Sequence, residues 1–370
     1  MRILQVIETG GPGGAETVFA QLASGLASRG HSVQCVVRDG SWLPGELQQR
    51  GFTPHLMRIG GTFDTTLLRQ LVSQIREHRI DLVHAHLFDG AAYATLAAAL
   101  CRVPSVTTLH GQVDVQRSGV GTRLKATLLR NAASAVVAVS GALRADLLNV
   151  LGIAPSRFHV IHNGLESLST IVGLPVSVPA PRGEEPFRLV AVGNIRPAKD
   201  YPSLLLAIAA LRQRDIHVHL DVLGQPDRLG LYEQLQEQIV SLSIQPHVTF
   251  HGFVRDPSAV LGRAHAFVLA SSQEGFSLAT IEAMLAGIPV VATMSGGPEE
   301  IIESDVTGLL VPPGNPAALA TAIARLVQGP DLSRRLRESA WQSAHARFSM
   351  NKMLDAYESL YREVSSRTNA

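Results

Sequence analysis

Twice along its 370 residues this chain alternates short β-branched runs with stretches of helical spacing, and no other feature limits its fold as tightly. In the first half, residues 3–7, 31–38, 81–86, 105–110, 135–140 and 159–162 read as strands. Residues 15–28, 65–78 and 90–100 read as helices between them, with Leu67, Leu68, Leu71, Val72 and Ile75 spaced to share one face. Strands alternating with helices build βαβ units, and therefore a parallel, doubly wound α/β sheet.

Residues 166–186 interrupt the pattern with prolines and no periodicity, which reads as a linker. The alternation then restarts. Strand-like runs fall at 188–193, 217–224, 248–252, 266–270, 289–293 and 308–311, and helices at 203–212, 232–242, 278–286 and 317–327. The tail from 332 to 367 is helical, with a break near 348–351. The expected organisation is a first Rossmann-like domain over 1–165, a linker over 166–186, a second such domain over 187–348, and a C-terminal helix over 349–370. Ligands of such folds sit at the carboxyl ends of the strands, so a cleft between the domains is the expected site.

Composition narrows the function classes. Apolar residues make up 46% and charged residues 17%, ample for buried cores. With 32 basic against 31 acidic residues the net charge is +1, which argues against a nucleic-acid partner. Cys35 and Cys101 sit in apolar surroundings and read as small buried hydrophobes rather than a disulfide or metal site. The N-terminus lacks a signal-peptide pattern, and no apolar run approaches the roughly 18 residues of a membrane span. A cytoplasmic protein is expected, with peripheral contact at the inner face of the membrane left open.

Residues 274–282, EGFSLATIE, hold the densest chemistry. A strand ends just before them and a helix starts within them. Gly275, Phe276, Ser277 and Leu278 thus present backbone N–H groups at a helix N-terminus, which suits a phosphate. Glu282 lies a turn inside, placed for ribose hydroxyls, and Glu274 lies on the loop, placed for sugar hydroxyls. The plain alternative is a solvated loop acid and an exposed helix acid. Ile281, Ala283 and Met284 around Glu282 weigh against it, because an acid in apolar surroundings needs a partner. Arg196 and Lys199 in GNIRPAKD follow a strand end, where fixed cations suit an anionic ligand; two ordinary surface cations are the alternative. Asp200 reads as a helix N-cap. Gly11 to Glu16 fails as a dinucleotide fingerprint, since Glu16 stands where glycine is required and Pro12 intrudes. His84 and His86 share one side of a strand, but without a third ligand they do not make a zinc site.

EGFSLATIEAMLAGIPVVAT resembles the signature of the retaining glycosyltransferases of family 4, with a GT-B fold, in which two glutamates eight positions apart (274 and 282) flank the donor site. GGPGGAE, VHAH, TTLHG, AVSGAL, VIHNGLE, VGNIRPAKDYPSLLLAI, FHGFV, SGGPEEII and TGLLVPPGN extend the resemblance over nearly the whole chain. It implies catalytic roles for His110, Arg196, Lys199 and Glu274, with His110 touching the donor sugar. It implies that the Gly13–Gly14 loop closes over donor phosphates beside Glu16, on the acceptor side with Ser140, and that Phe253 and Val254 offer backbone groups to the base. The family's arginine stands five residues before the lysine, where this chain has Asn194 and places Arg196 three before instead; Pro226 replaces a frequent second glycine after Gly224. Asn163 and Gly164 read as structural, and Gly296, Gly297, Glu299 and Glu300 as a helix start with a donor contact.

The function so implied is transfer of a sugar from a UDP- or GDP-sugar to a saccharide or lipid-linked acceptor. It implies retention of configuration, front-face attack, no metal and no other cofactor, in bacterial surface polysaccharide or lipopolysaccharide synthesis. Arg117, Arg123, Lys125 and Arg130 with Leu124, Leu128 and Leu129 form either a solvated helix face or a patch for anionic lipid. An epimerase or sugar phosphorylase of the same fold, or a non-catalytic nucleotide-sugar-binding subunit, are the rival readings.

Overall fold

The computed structural model describes residues 1–58, 64–111, 119–165, 181, 185–226 and 230–368. Arg117 and nearly all of the expected linker lie outside the described residues. The chain divides into two compact units, Met1–Glu166 with Met350–Ala370, and Ser167–Ser349.

The first unit runs β1 (Arg2–Ile7), α1 (Gly14–Ser28), β2 (Ser32–Arg38), α2 (Trp42–Gln49), β3 (His55–Met57), α3 (Thr65–Glu77), β4 (Leu82–His86), α4 (Asp89–Cys101), β5 (Ser105–Leu109), α5 (Val120–Ala132), β6 (Ala135–Ala138), α6 (Gly141–Leu151) and β7 (Phe158–Val160). Its seven strands lie in the order β3-β2-β1-β4-β5-β6-β7, all parallel. Strands β4 and β5 are buried along their whole length, the polar His84, His86, Ser105, Thr107 and Thr108 included, so neither has a solvent-facing side. The winding reverses between β1 and β4, where Ile7 pairs with Val37 on one side and His86 on the other. Ligands of open parallel sheets gather at the strand ends beside such a reversal.

Helix α3 starts at Asp64, whose carboxylate accepts from Thr66 N and Leu67 N at 3.0 Å each. It buries Leu67, Leu71 and Ile75, while Leu68 and Val72 are only half-buried, so its apolar stripe is narrower than the sequence spacing implies. Helix α2 and strand β3 escape the sequence reading. Pro44 and Gly45 disguise α2, yet Pro44 falls in its first turn, where the missing N–H costs nothing, and Leu43 and Leu47 supply a buried face. Strand β3 has three residues, too few to show a period.

The second unit runs β8 (Phe187–Val192), α7 (Tyr201–Gln213), β9 (Val218–Leu223), α8 (Leu231–Ser241), β10 (Val248–Gly252), α9 (Ser258–Leu261), β11 (Ala266–Leu269), α10 (Leu278–Leu285), β12 (Val290–Thr293), α11 (Pro298–Ile301), β13 (Leu309–Val311), α12 (Pro316–Gln328) and α13 (Pro330–Arg347). Its parallel order β10-β9-β8-β11-β12-β13 reverses between β8 and β11. Asp200 does cap α7, accepting from Ser203 N at 3.3 Å.

The helical tail breaks at Phe348 and Ser349, before α14 (Met350–Thr368). Phe348 closes α13 through a bond to Ala344 O at 2.9 Å and packs its ring into the second unit's core, 5.6 Å from that of Phe276. Met350 N instead donates to Leu165 O at 3.0 Å, which starts α14 on the first unit. There α14 buries Tyr357 and Tyr361, sets Leu354 against Gly25 of α1, and offers Asp355 and Glu358 to Arg29 at 2.6 and 3.0 Å.

Candidate active site

In the second unit the two loops that flank the reversal carry the charged groups singled out in the sequence. The loop after β8 is pinned by Gly193 N to Leu223 O at 2.8 Å and by the Tyr201 hydroxyl donating to Gly193 O at 2.6 Å. A single turn, Pro197–Lys199, then points Lys199 at the loop after β11. Lys199 Nζ meets Glu274 Oε2 at 2.6 Å, and Ser271 Oγ donates to the same oxygen at 3.1 Å. Both members of the ion pair are largely covered, with side-chain exposures of 21% and 15%. Glu274 is itself fixed by its backbone, donating to Ser295 O and accepting from Gly297 N at 2.8 Å each. Glu274 Oε1 bonds no described residue, so the pair leaves one carboxylate oxygen open to a ligand.

Helix α10 begins beside that pair. Ser277 is its N-cap, accepting from Thr280 N at 3.3 Å, and Phe276 is core rather than surface. The backbone amides of Gly275, Ser277 and Leu278 donate to no described residue, as expected where a helix starts. Glu282 is half-buried between Ile281 and Ala283 of the core, and its carboxylate has no hydrogen bond or ion pair with any described residue. Burial pushes its pKa up, because an uncompensated charge is disfavoured there. Arg196 is exposed and its guanidinium is unpaired among the described residues, so it lies near Lys199 in sequence without sharing the ion pair.

The base-side loops are stitched together: Gly224 N donates to Gly252 O at 2.8 Å, and Asn194 Oδ1 accepts from Gln225 N at 3.0 Å. Asn194, at the family's arginine position, is thus a loop clamp. A side chain on Gly224 would stand 1.9 Å from Gly193 O, so only glycine fits. Phe253 follows with 39% exposure and Val254 is half-buried. Gly296 N donates to Glu299 Oε2 at 2.9 Å, a local clasp at the start of α11.

In the first unit the strand ends beside the reversal carry acids and histidines. Gly13 is the N-cap of α1 and Gly14 its first residue. Glu16 is buried and folds back, its Oε2 2.7 Å from where a Cβ on Gly13 would stand. His110, one residue past β5, is half-buried and stacks on His86 with Nε2 3.0 Å from His86 Nδ1. Burial lowers the His110 pKa to about 4; burial also holds that of His86 well below 6.5, with the His84 and His110 rings adding to the effect there. Ser140 is fully buried, and its hydroxyl caps α6 by accepting from Leu143 N at 3.1 Å. It has a local task there as a helix cap, and β6 ends at Ala138 rather than at Ser140. Lys125 pairs with Asp89 at 2.7 Å, which takes one charge out of the basic cluster on α5.

Sequence reasoning missed several groups. Glu8, at the end of β1, is buried and accepts from Asp89 N at 3.2 Å. An acid directly after a central apolar strand was the available signal. Ser271 has no such signal, and His86, read in the sequence only as one of a pair with His84, shows its bond to His110 only in the structure. Among the described residues no group of three or more His, Cys, Asp or Glu side chains is arranged for a metal, and no helix is long and apolar enough to cross a membrane.

Comparison with known proteins agrees with the fold. The family model described as Glycosyltransferase Family 4 matches residues 12–167, and that described as Glycosyl transferases group 1 matches residues 178–343. N-acetyl-alpha-D-glucosaminyl L-malate synthase of Bacillus anthracis is 25% identical, over 95% of this chain and 94% of that one. Alpha-maltose-1-phosphate synthase of Mycobacterium tuberculosis is 29% identical, over 81% and 83%. The crystal structure of Anabaena HepE in complex with UDP and glucose superposes with a TM-score of 0.85 at 22% identity, covering 98% of this chain and 100% of that one. With two parallel Rossmann-like units of the GT-B type and both family models matched in order, the chain belongs to the family 4 glycosyltransferases.

Proposed function

We propose that this glycosyltransferase takes its sugar from a nucleoside-diphosphate sugar bound by the second unit and transfers it, with retention, to a hydroxyl of a saccharide or lipid-linked acceptor. One observation carries the reading: the Lys199–Glu274 pair stands beside the α10 N-terminus, with the partnerless Glu282 a turn inside the same helix. An anion, a sugar and a ribose each find a complementary group there. The amides of Gly275, Ser277 and Leu278 receive phosphate oxygens. Glu282 accepts from ribose hydroxyls, and Glu274 Oε1 accepts from the sugar. Lys199 and Arg196 take up the charge that grows on the diphosphate, so no metal is needed. Phe253 and Val254 border the base. His110, with Gly13 and Gly14 of the first unit, meets the donor, and Glu16 meets the acceptor.

In the reaction the acceptor oxygen bonds the anomeric carbon as the bond from that carbon to the β-phosphate oxygen breaks. The acceptor proton ends on the leaving phosphate, and the products are a glycoside and a nucleoside diphosphate. UDP is the favoured nucleotide, because HepE, similar over the whole chain, binds UDP and glucose. Assembly of a bacterial surface polysaccharide or lipopolysaccharide at the cytoplasmic face of the membrane is the setting that fits such a reaction. A thermal-shift screen against UDP, GDP and ADP tests the donor half, since a ligand of the folded state alone raises the melting temperature. UDP or GDP should raise it in the wild type and far less in Glu282→Ala; an equal rise in both overturns the Glu282 assignment.

A further inference from the structure

We propose that His86 is a positioning residue that holds His110 as the tautomer with its hydrogen on Nδ1, so that His110 presents an N–H donor to its ligand. The inference rests on the reading of His110 as a donor-sugar contact only for its consequence in catalysis. The tautomer itself follows from the first unit alone.

His86 Nδ1 and His110 Nε2 are 3.0 Å apart, so one nitrogen carries the hydrogen and the other accepts it. The second nitrogen of His86 decides which. His86 Nε2 is buried and has no hydrogen-bond partner. A hydrogen on it would be an orphaned buried donor, which folded proteins rarely tolerate, whereas a bare lone pair there costs less. The hydrogen of neutral His86 therefore sits on Nδ1 and is donated to His110 Nε2. His110 is then left with its own hydrogen on Nδ1, a nitrogen that bonds no described residue, on a side chain that is only half-buried. Both rings are neutral at physiological pH, since burial holds their pKa values well below the ordinary 6.5.

The surroundings fix His86 in turn. Its ring packs edge-on to Phe19 of α1 at 5.2 Å and lies 4.3 Å from the ring of His84. His84 is clamped at both nitrogens, by Tyr361 of α14 at 2.7 Å and Thr108 at 2.8 Å, and Thr108 is bonded to Tyr357 at 3.0 Å. Five side chains from β4, β5 and α14 thus lead to one ring orientation at His110.

Long-range proton–nitrogen correlation spectra of the full-length chain, labelled with nitrogen-15 histidine and free of ligand, read the tautomer directly. The signal missing in His110→Gln identifies the residue. The expected result is a neutral His110 ring protonated on Nδ1. Protonation on Nε2 overturns the proposal whatever the activity. In His86→Leu the His110 signal should become a tautomer mixture and kcat should fall about tenfold, with a smaller change in donor KM, as for one lost hydrogen bond. His86→Asn, whose amide reaches the place of Nδ1, should restore the single tautomer and most of kcat. A folded His86→Leu chain with tautomer and turnover unchanged overturns the proposal, and if that variant does not fold the wild-type spectrum decides alone. Because the spectrum is read without substrate, failure of sugar transfer and failure of the tautomer assignment are separate results.

Discussion

Lys199 Nζ and Glu274 Oε2 stand 2.6 Å apart although 75 residues separate them in the chain, and the bond joins the loops that follow the two central strands of the second unit. Each ion holds the other in place with most of its surface covered. The pair is therefore a brace for the loops and, in the proposed reaction, a prearranged charge for the diphosphate.

Replacing Lys199 by Ala should lower kcat about a hundredfold or more, the loss typical of one transition-state charge partner. Nucleotide affinity should fall less. Steady-state kinetics with a saturating donor check this; unchanged kcat would remove Lys199 from the reaction.

Glu282→Gln should separate stability from binding. The folded-state pKa of Glu282 is raised above its ordinary 4.5, so the charged form destabilises the fold at neutral pH. Below the unfolded pKa both states are protonated and the cost vanishes. The ligand-free variant should melt higher than wild type at pH 7, with the gain lost as the pH approaches 4, while its nucleotide affinity drops about tenfold. Melting curves at both pH values and a binding titration test the two halves.

The buried histidines predict a loss of stability in acid. The folded-state pKa values of His84 and His110 lie near 3 and 4, below the unfolded 6.5, so protons bind the unfolded chain first. Stability should be level above pH 6.5 and fall as the pH drops from 6.5 towards 4. His110→Gln should show a shallower fall. An identical slope in wild type and variant would mean that the His110 ring is not shielded from water as its low pKa requires.

Gly224→Ala should destabilise the second unit by about 3 kcal/mol or more, because the new methyl meets a backbone oxygen rather than a side chain that can move. Denaturant unfolding measures it; a loss under about 1 kcal/mol would show that the loops after β8 and β9 are not in close contact.

Much of this was legible in the sequence, for physical reasons. Strand β1 announces itself by Ile3, Leu4, Val6 and Ile7, apolar on both faces of a covered parallel sheet, and β5 by its β-branched Val106, Thr107 and Thr108. Asp200 is readable as a cap because capping is local. The charged cluster came from Glu274, Glu282 and Lys199 at fixed offsets from strand ends. What stayed hidden depends on distant partners. Ser140 looks like a strand end with a free hydroxyl until α6 is seen to use it. His86 looks like one of a pair with His84 until β5 brings His110 against it and α14 brings Tyr361 to His84, 277 residues away. Arg196 looks like a partner of Lys199, yet only Lys199 reaches Glu274.

The central claim, retaining transfer from a nucleotide sugar, is tested most directly by proton and phosphorus NMR of the enzyme incubated with UDP-sugars and GDP-sugars, with a saccharide acceptor and a chelator present. The account predicts a nucleoside diphosphate and a new glycoside in equal amounts, with the anomeric configuration of the donor and undiminished by the chelator. An inverted glycoside, or epimerised donor formed without acceptor, would contradict it.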